Sequence, residues 1–253
     1  MAVKSGHERV LMLVKALPHA GDKHGETVCC AGVTPERKWR RQFPVPFRYL
    51  EDQKFIRWQW IEYDWRKPTD DKRPESQRVQ EGTIRPGKEM PKKERAEFLH
   101  PLIVSSTLEA ANNGATLALI RPRDTVFTFK KKRPEAINKE RHGYTAAASQ
   151  LSFLTQRQKP LEPCPYEFKF KYTTDDGRRH ENICGDWETA AMFYRFEKIS
   201  GEKDALRKMD ETFNIEYPER GMVFALGAHS RYPDSWLLVG VIRLDEVDQL
   251  SLL

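Results

Sequence analysis

The sequence contains none of the short motifs by which common enzyme classes are recognised. It has no GxSxG, P-loop, GxGxxG or HExxH segment, and each of these would hold a nucleophile, a phosphate or a metal ion at a fixed spacing. Its serine, histidine and aspartate residues show no diagnostic spacing either. Whether the chain is an enzyme therefore stays open at this level.

Long hydrophobic runs are also missing. The longest apolar segments, such as 236–242, have the length of a strand, whereas a membrane-spanning helix needs about 20 apolar residues. The N-terminal segment holds Lys4, Arg9 and the apolar stretch 10–14. It lacks a full hydrophobic region and a small-residue cleavage site, so no signal peptide is predicted. We therefore expect a cytoplasmic protein with no membrane partner.

Cysteine is scarce, with four residues in a chain of 253 and no CxxC spacing. Cys29 and Cys30 are adjacent, and adjacent side chains on a strand point to opposite faces, so the pair cannot easily share a metal ion. We predict buried thiols in a reducing cytoplasm and no resident metal or other cofactor. A metal knuckle formed by Cys164, Cys184 and His180 is the alternative.

The sequence is rich in charge and in aromatic residues. Hydrophobic residues make up 39% and charged residues 32%, which suits a globular protein rather than a disordered one. The net charge of +6 favours a polyanionic partner, because lysine and arginine side chains that contact phosphates release condensed counterions.

Hydrophobic periodicity predicts an α+β fold, with strands at both ends of the chain and helices between them. We expect an N-terminal curved or barrel-like β-sheet and a C-terminal mixed α+β portion. An OB-like or a PUA-like barrel would fit the N-terminal sheet. The proline-rich segment 156–165 separates a β-rich domain, 1–150, from an α+β domain, 160–253, although the two could form one continuous unit. Residues 67–93 are predicted to be a long irregular connection, and a polar stretch follows the basic run 130–133 to about residue 159.

Local patterns predict three features of the C-terminal portion. Aromatic residues alternate with lysines over 167–172, which predicts a strand. The DDG segment at 175–177 predicts a turn, and Asp186 precedes an apolar helical pattern and is the predicted N-cap of a helix.

Five longer segments have sequence patterns that allow comparison with a known family. They are GETVCCAGV at 25–33, WRRQFPVPFR at 39–48, KPLEPCPYEFKFKY at 159–172, DWE at 186–188 and FALGAHSRYPDSWLLVGV at 224–241. Together they resemble an uncharacterised family of prokaryotic proteins, and the resemblance spans most of the chain. It implies a prokaryotic or phage origin and a setting near mobile or defence genes. The family has no established activity, so no catalytic residue is carried over.

An arginine–tryptophan cluster is the first candidate site, because four of the six tryptophans fall between positions 39 and 65. Aromatic side chains can stack unpaired bases while neighbouring cations hold phosphates. On the predicted strand 57–66, Ile61 and Tyr63 mark the core face, which leaves two tryptophans for a ligand. The predicted nucleic-acid-binding residues are Arg40, Arg41, Arg48, Arg57, Trp58 and Trp60. Core tryptophans beside solvated arginines are the alternative.

Two further segments carry binding chemistry. The basic run Lys130, Lys131, Lys132 and Arg133 follows a predicted strand and could follow a phosphate backbone. The loop 227–236 brings His229 and Arg231 close to two aromatic residues, a combination that could recognise a base or a phosphate or hold an acid–base histidine. A solvated loop and a plain turn are the respective alternatives.

The leading prediction is a nucleic-acid-binding protein of a prokaryotic defence or mobile-element system, with DNA and RNA both open. A metal-dependent nuclease is an alternative, because such enzymes need carboxylates that converge on a cation such as Mg²⁺. Its candidate catalytic residues are Glu167, Lys169, Asp186 and Glu188. A non-catalytic protein-interaction subunit of a larger complex is the other alternative, with an acidic partner docked on the basic face.

Overall fold

The protein is described by a computed structural model over residues 4–17, 19–21, 25–46, 55–80, 82–152 and 160–246. The strands are β1 (Ser5–Lys15), β2 (His19–Gly21), β3 (Gly25–Val33), β4 (Trp39–Pro46), β5 (Gln59–Arg66), β6 (Ser76–Val79), β7 (Arg85–Glu89), β8 (Ile103–Val104), β9 (Leu117–Ile120), β10 (Arg123–Lys131), β11 (Tyr166–Thr173), β12 (Arg179–Ile183), β13 (Met222–Ala228) and β14 (Trp236–Arg243). The helices are α1 (Lys92–Leu99), α2 (Thr107–Asn112), α3 (Pro134–Ser152), α4 (Trp187–Ser200), α5 (Glu202–Glu211) and α6 (Tyr217–Glu219).

The N-terminal strands close into a barrel. Their order is β1-β3-β4-β6-β5, and β5 pairs back onto β1, so these five strands have no free edge between them. The β4–β6 pairing is parallel and the other four are antiparallel, which makes the barrel mixed. Its interior is filled by alternate side chains such as Val10, Met12, Ile61 and Tyr63. The predicted α+β fold with an N-terminal barrel is confirmed.

The C-terminal part holds two smaller sheets, with orders β10-β11-β12 and β14-β13-β9-β8. Clean alternation in β11 buries Phe168 and Phe170 and turns Lys169 and Lys171 outward. The buried phenylalanines pack with Phe193 of α4 and with residues of α5. The opposite side of this three-stranded sheet faces outward, and we call it the outer face.

One core cluster joins the two halves of the chain. It combines Leu11 and Leu13 of β1 with Leu99 of α1, Val223 of β13 and Ile242 of β14. The barrel therefore packs directly onto the C-terminal sheet. The division into domains at 1–150 and 160–253 stays a prediction.

One prediction of irregular structure is wrong, because residues 67–93 contain β6 and β7. The polar stretch after the basic run, for which no element is predicted, contains the long helix α3. Strand β7 is exposed along its whole length and carries Pro86 and Gly87, so its sequence lacks the apolar alternation of a half-buried strand. Helix α3 begins with Pro134 and Glu135, which suit a first helical turn, but few apolar residues mark its buried side. Among the described residues no helix is long and apolar enough to cross a bilayer.

Candidate nucleic-acid interface

Arg57 and Asp186 form a buried ion pair between the barrel and the start of α4. The Arg57 guanidinium donates to both carboxylate oxygens of Asp186 at 2.8 Å and to the carbonyl oxygens of Leu13 and Val241. The carboxylate also accepts from the backbone N–H groups of Glu188, at 3.1 Å, and Val241, at 2.9 Å. Asp186 is only 1% exposed. Burial raises the pKa of its carboxyl group, and the attraction of Arg57 opposes that shift.

This arrangement corrects two predictions. The Arg57 guanidinium is used within the protein, so it is not available to a phosphate. The Asp186 carboxylate is covered and already holds an arginine, so it is not open to a metal ion. Its predicted role as the N-cap of α4 is observed.

Arg41 and Trp58 are corrected in the same way. The Arg41 side chain is 5% exposed, and its guanidinium donates to the carbonyl and hydroxyl oxygens of Thr116 at 2.9 and 3.2 Å. Trp58 is 6% exposed within the core, and the Arg95 guanidinium lies 4.7 Å from its ring centroid. A positive φ of 71° at Trp58 changes the direction of the chain just before β5. Simple alternation therefore does not apply at this residue.

Two further members of the arginine–tryptophan cluster, Trp60 and Arg40, contact other side chains of the barrel and α1. Trp60 is half-buried, with the Arg9 guanidinium 4.8 Å from its ring centroid and the ring of Phe98 edge-on at 5.8 Å. Arg40 donates to a carboxylate oxygen of Glu8 at 2.6 Å. Arg48 lies outside the described residues. A role of Arg40 and Trp60 in nucleic-acid binding stays a prediction.

Two of the four cations in the basic run 130–133 form ion pairs. Lys131 donates to Glu202 at 2.9 Å, and Lys132 donates to both carboxylate oxygens of Glu140 at 2.9 Å. Lys130 is exposed on the outer face, and Arg133 is exposed just before α3 begins. In the described part of the chain, no carboxylate lies within ion-pair distance of these two side chains.

Cross-strand register places further cations beside Lys130. Lys130 is opposite Glu167, Lys171 is opposite Glu181, and Arg179 is opposite Thr173, and opposed residues share one side of a sheet. We call the four cations on the outer face the basic face: Lys130, Lys169, Lys171 and Arg179. Three carboxylates lie among them: Glu167, Glu181 and Asp124, the last of which lines a shallow concavity with Lys171 and Arg179. The basic face therefore keeps an excess of one positive charge.

The sequence reasoning missed Lys171 and Arg179, although the alternation of lysine with aromatic residues in β11 was the signal that could have found Lys171. Pairing of β11 with β12 then adds Arg179 to the same side. That pairing follows from the turn at 174–178, which the DDG segment predicts.

The proposed nuclease residues are not gathered around a cation site. Glu167 and Lys169 lie side by side on the outer face with 3.4 Å between Oε1 and Nζ, while Glu188 forms a 3.7 Å ion pair with Lys15. Within the described ranges, no group of three or more histidine, cysteine, aspartate or glutamate residues is placed to hold a metal ion. The prediction that these carboxylates converge is therefore corrected, and the knuckle of Cys164, Cys184 and His180 is not formed.

The loop between β13 and β14 presents a smaller polar surface. The Arg231 N–H donates to Nδ1 of His229 at 3.1 Å, and the His229 and Tyr232 rings lie 5.2 Å apart. Arg231 is exposed and His229 is half-buried. Their contribution to nucleic-acid binding stays a prediction.

Family models match two adjoining segments of the chain. Residues 103–253 match a Domain of unknown function (DUF8757). The chain belongs to this family. Residues 6–102 match a second one, also described as a Domain of unknown function (DUF8758). The predicted membership of an uncharacterised family is confirmed, and no curated protein matches the chain.

The division between the two matches coincides with a change in architecture. The DUF8758 segment holds the barrel and α1, and the DUF8757 segment begins at the first residue of β8. The whole basic face and Arg133 lie in the DUF8757 segment, whereas the arginine–tryptophan cluster lies in the other.

Proposed function

We propose that the protein binds nucleic acid through the basic face, in the cytoplasm of a prokaryote and as part of a defence or mobile-element system. One observation carries this proposal: four cations project from one open side of the three-stranded sheet, and Lys130 among them has no carboxylate within ion-pair distance in the described part of the chain. Arg133 extends the positive surface at the end of β10.

The arrangement suits a phosphate backbone better than a small anion. Side chains two residues apart on a strand are about 6.8 Å apart, so Lys169 and Lys171 can each contact a different phosphate. Lysine contacts to phosphates supply affinity without base specificity. We therefore expect binding that tolerates sequence and weakens steeply with salt.

An acidic protein partner is the second candidate, and one observation favours it. Val126 and Ile183 lie on the outer face and are 48% and 55% exposed. Protein interfaces combine an apolar core with a polar rim, so two exposed apolar side chains surrounded by charges suit such a contact. A protein partner would use these two side chains, whereas a phosphate backbone would not.

Fluorescence anisotropy with labelled single-stranded DNA, single-stranded RNA and duplex DNA tests the proposal. We expect binding at about 50 mM salt that weakens at least tenfold at about 200 mM. No binding of any of the three at the lower salt concentration would contradict the proposed function. In that case, the Val126→Ser and Ile183→Ser variants would test the protein partner by loss of co-purification.

A further inference from the structure

A cavity lies beside one end of β11, and residues of α3, α4 and the segment 161–164 complete its lining. Its volume is about 220 Å³, and the start of α4 closes its far side. Six of its lining residues matter for the chemistry: Lys132, Glu140, Tyr144, Cys164, Trp187 and Ala190. None of them has a part in the contacts of the basic face.

The walls and the polar end of this cavity differ in character. Leu17, Leu161, Trp187 and Ala190 give apolar walls, while Lys132 and Glu140 place a donor and an acceptor next to each other at one side. Because their charges balance, this pair does not select a charged ligand. It suits a neutral, flat molecule that has donors and acceptors along one edge, as a nucleobase does.

The size of the cavity also favours a single nucleobase as its ligand. A volume of about 220 Å³ equals that of about seven liquid water molecules. It is smaller than the pockets of about 300–1,000 Å³ that take drug-sized ligands. One base ring fits, whereas a whole nucleotide does not, so the sugar and phosphate would stay outside.

The cavity shares two lining residues with the outer face. Glu167 and Ile183 belong to the outer face and also line the cavity, and Lys130 is directly opposite Glu167 in the sheet. A strand whose phosphates contact the basic face would therefore pass the cavity. We propose that the cavity takes up one unstacked base of a bound single strand, an inference that rests on the proposed function.

Cysteine alkylation of the unaltered protein provides the first test. Burial raises the pKa of Cys164 to about 11, so iodoacetamide labelling is run at a pH of about 9, where some thiolate is present. Cys29 lies on β3 outside the cavity and is also free and half-buried, so it serves as the internal control. We expect a saturating single-stranded oligonucleotide to slow alkylation of Cys164 at least fivefold and to leave that of Cys29 unchanged.

A base analogue distinguishes insertion from simple covering of the cavity. We expect the fluorescence of a 2-aminopurine-containing oligonucleotide to change when it binds the unaltered protein. The Ala190→Met variant, which fills the cavity from α4, should still bind the oligonucleotide within about tenfold but without that change. Circular dichroism checks that this variant is folded.

The outcomes separate the two proposals. If the oligonucleotide does not bind, the proposed function fails, and this inference fails with it. If it binds but Cys164 is not protected, or if 2-aminopurine responds equally with the Ala190→Met variant, the base-binding cavity alone is overturned. Protection of Cys164 together with a response that the variant abolishes supports it.

Discussion

Replacing Asp186 by alanine is expected to lower the free energy of unfolding by about 3–5 kcal/mol, because the buried Arg57 would lose its counter-charge. The substitution also leaves the backbone N–H groups of Glu188 and Val241 without their acceptor. The ion pair connects the barrel to α4, so its loss weakens the contact between the two halves of the chain. Urea unfolding followed by circular dichroism measures the effect.

Glu188→Ala is the matched control for this prediction. Glu188 lies two residues further along α4, and its ion pair with Lys15 has a distance of 3.7 Å at a partly exposed position. Such pairs contribute about 1 kcal/mol or less. If Asp186→Ala destabilised the protein no more than Glu188→Ala, the buried pair would not have the structural role assigned to it.

Removing the charge of Lys130, Lys169 and Lys171 together, by substitution with glutamine, is expected to weaken nucleic-acid binding on the order of a hundredfold at about 0.1 M salt. Each phosphate contact that is lost reduces the slope of log K against log salt by about 1, so the triple variant should lose about 3. Anisotropy titrations at several salt concentrations give both quantities.

A triple variant on the barrel side of the chain controls for net charge. Lys67, Lys88 and Lys92 are exposed and lie outside the DUF8757 segment, and their replacement by glutamine gives the same change in charge. We expect this variant to bind within about threefold of the unaltered protein. Equal losses in both triple variants would mean that binding follows overall charge rather than the basic face.

Local patterns in the sequence predicted local structure well. Alternation of phenylalanine and lysine predicted β11, and an aspartate before an apolar helical pattern predicted the start of α4. Both signals depend only on residues a few positions apart, because strand periodicity and N-capping are local effects. The barrel could be predicted as a type of fold, but the β5–β1 pairing that closes it depends on long-range register.

The errors concern interactions between distant residues. Asp186 and Arg57 are separated by 129 positions, so neither neighbouring sequence indicates that they form an ion pair. Arg41 reaches Thr116 across 75 positions in a similar way. A cluster of arginine and tryptophan residues has the same composition whether it covers a core or binds a strand of nucleic acid. Burial decides between the two, and burial is a property of the whole fold.

Lysine acetylation, measured by mass spectrometry with and without bound single-stranded nucleic acid, tests the central claim most directly. We predict that nucleic acid protects Lys130, Lys169 and Lys171 and leaves the acetylation of Lys67, Lys88 and Lys92 unchanged. Protection of the second group without the first would place the interface on the barrel side and contradict the assignment of the basic face.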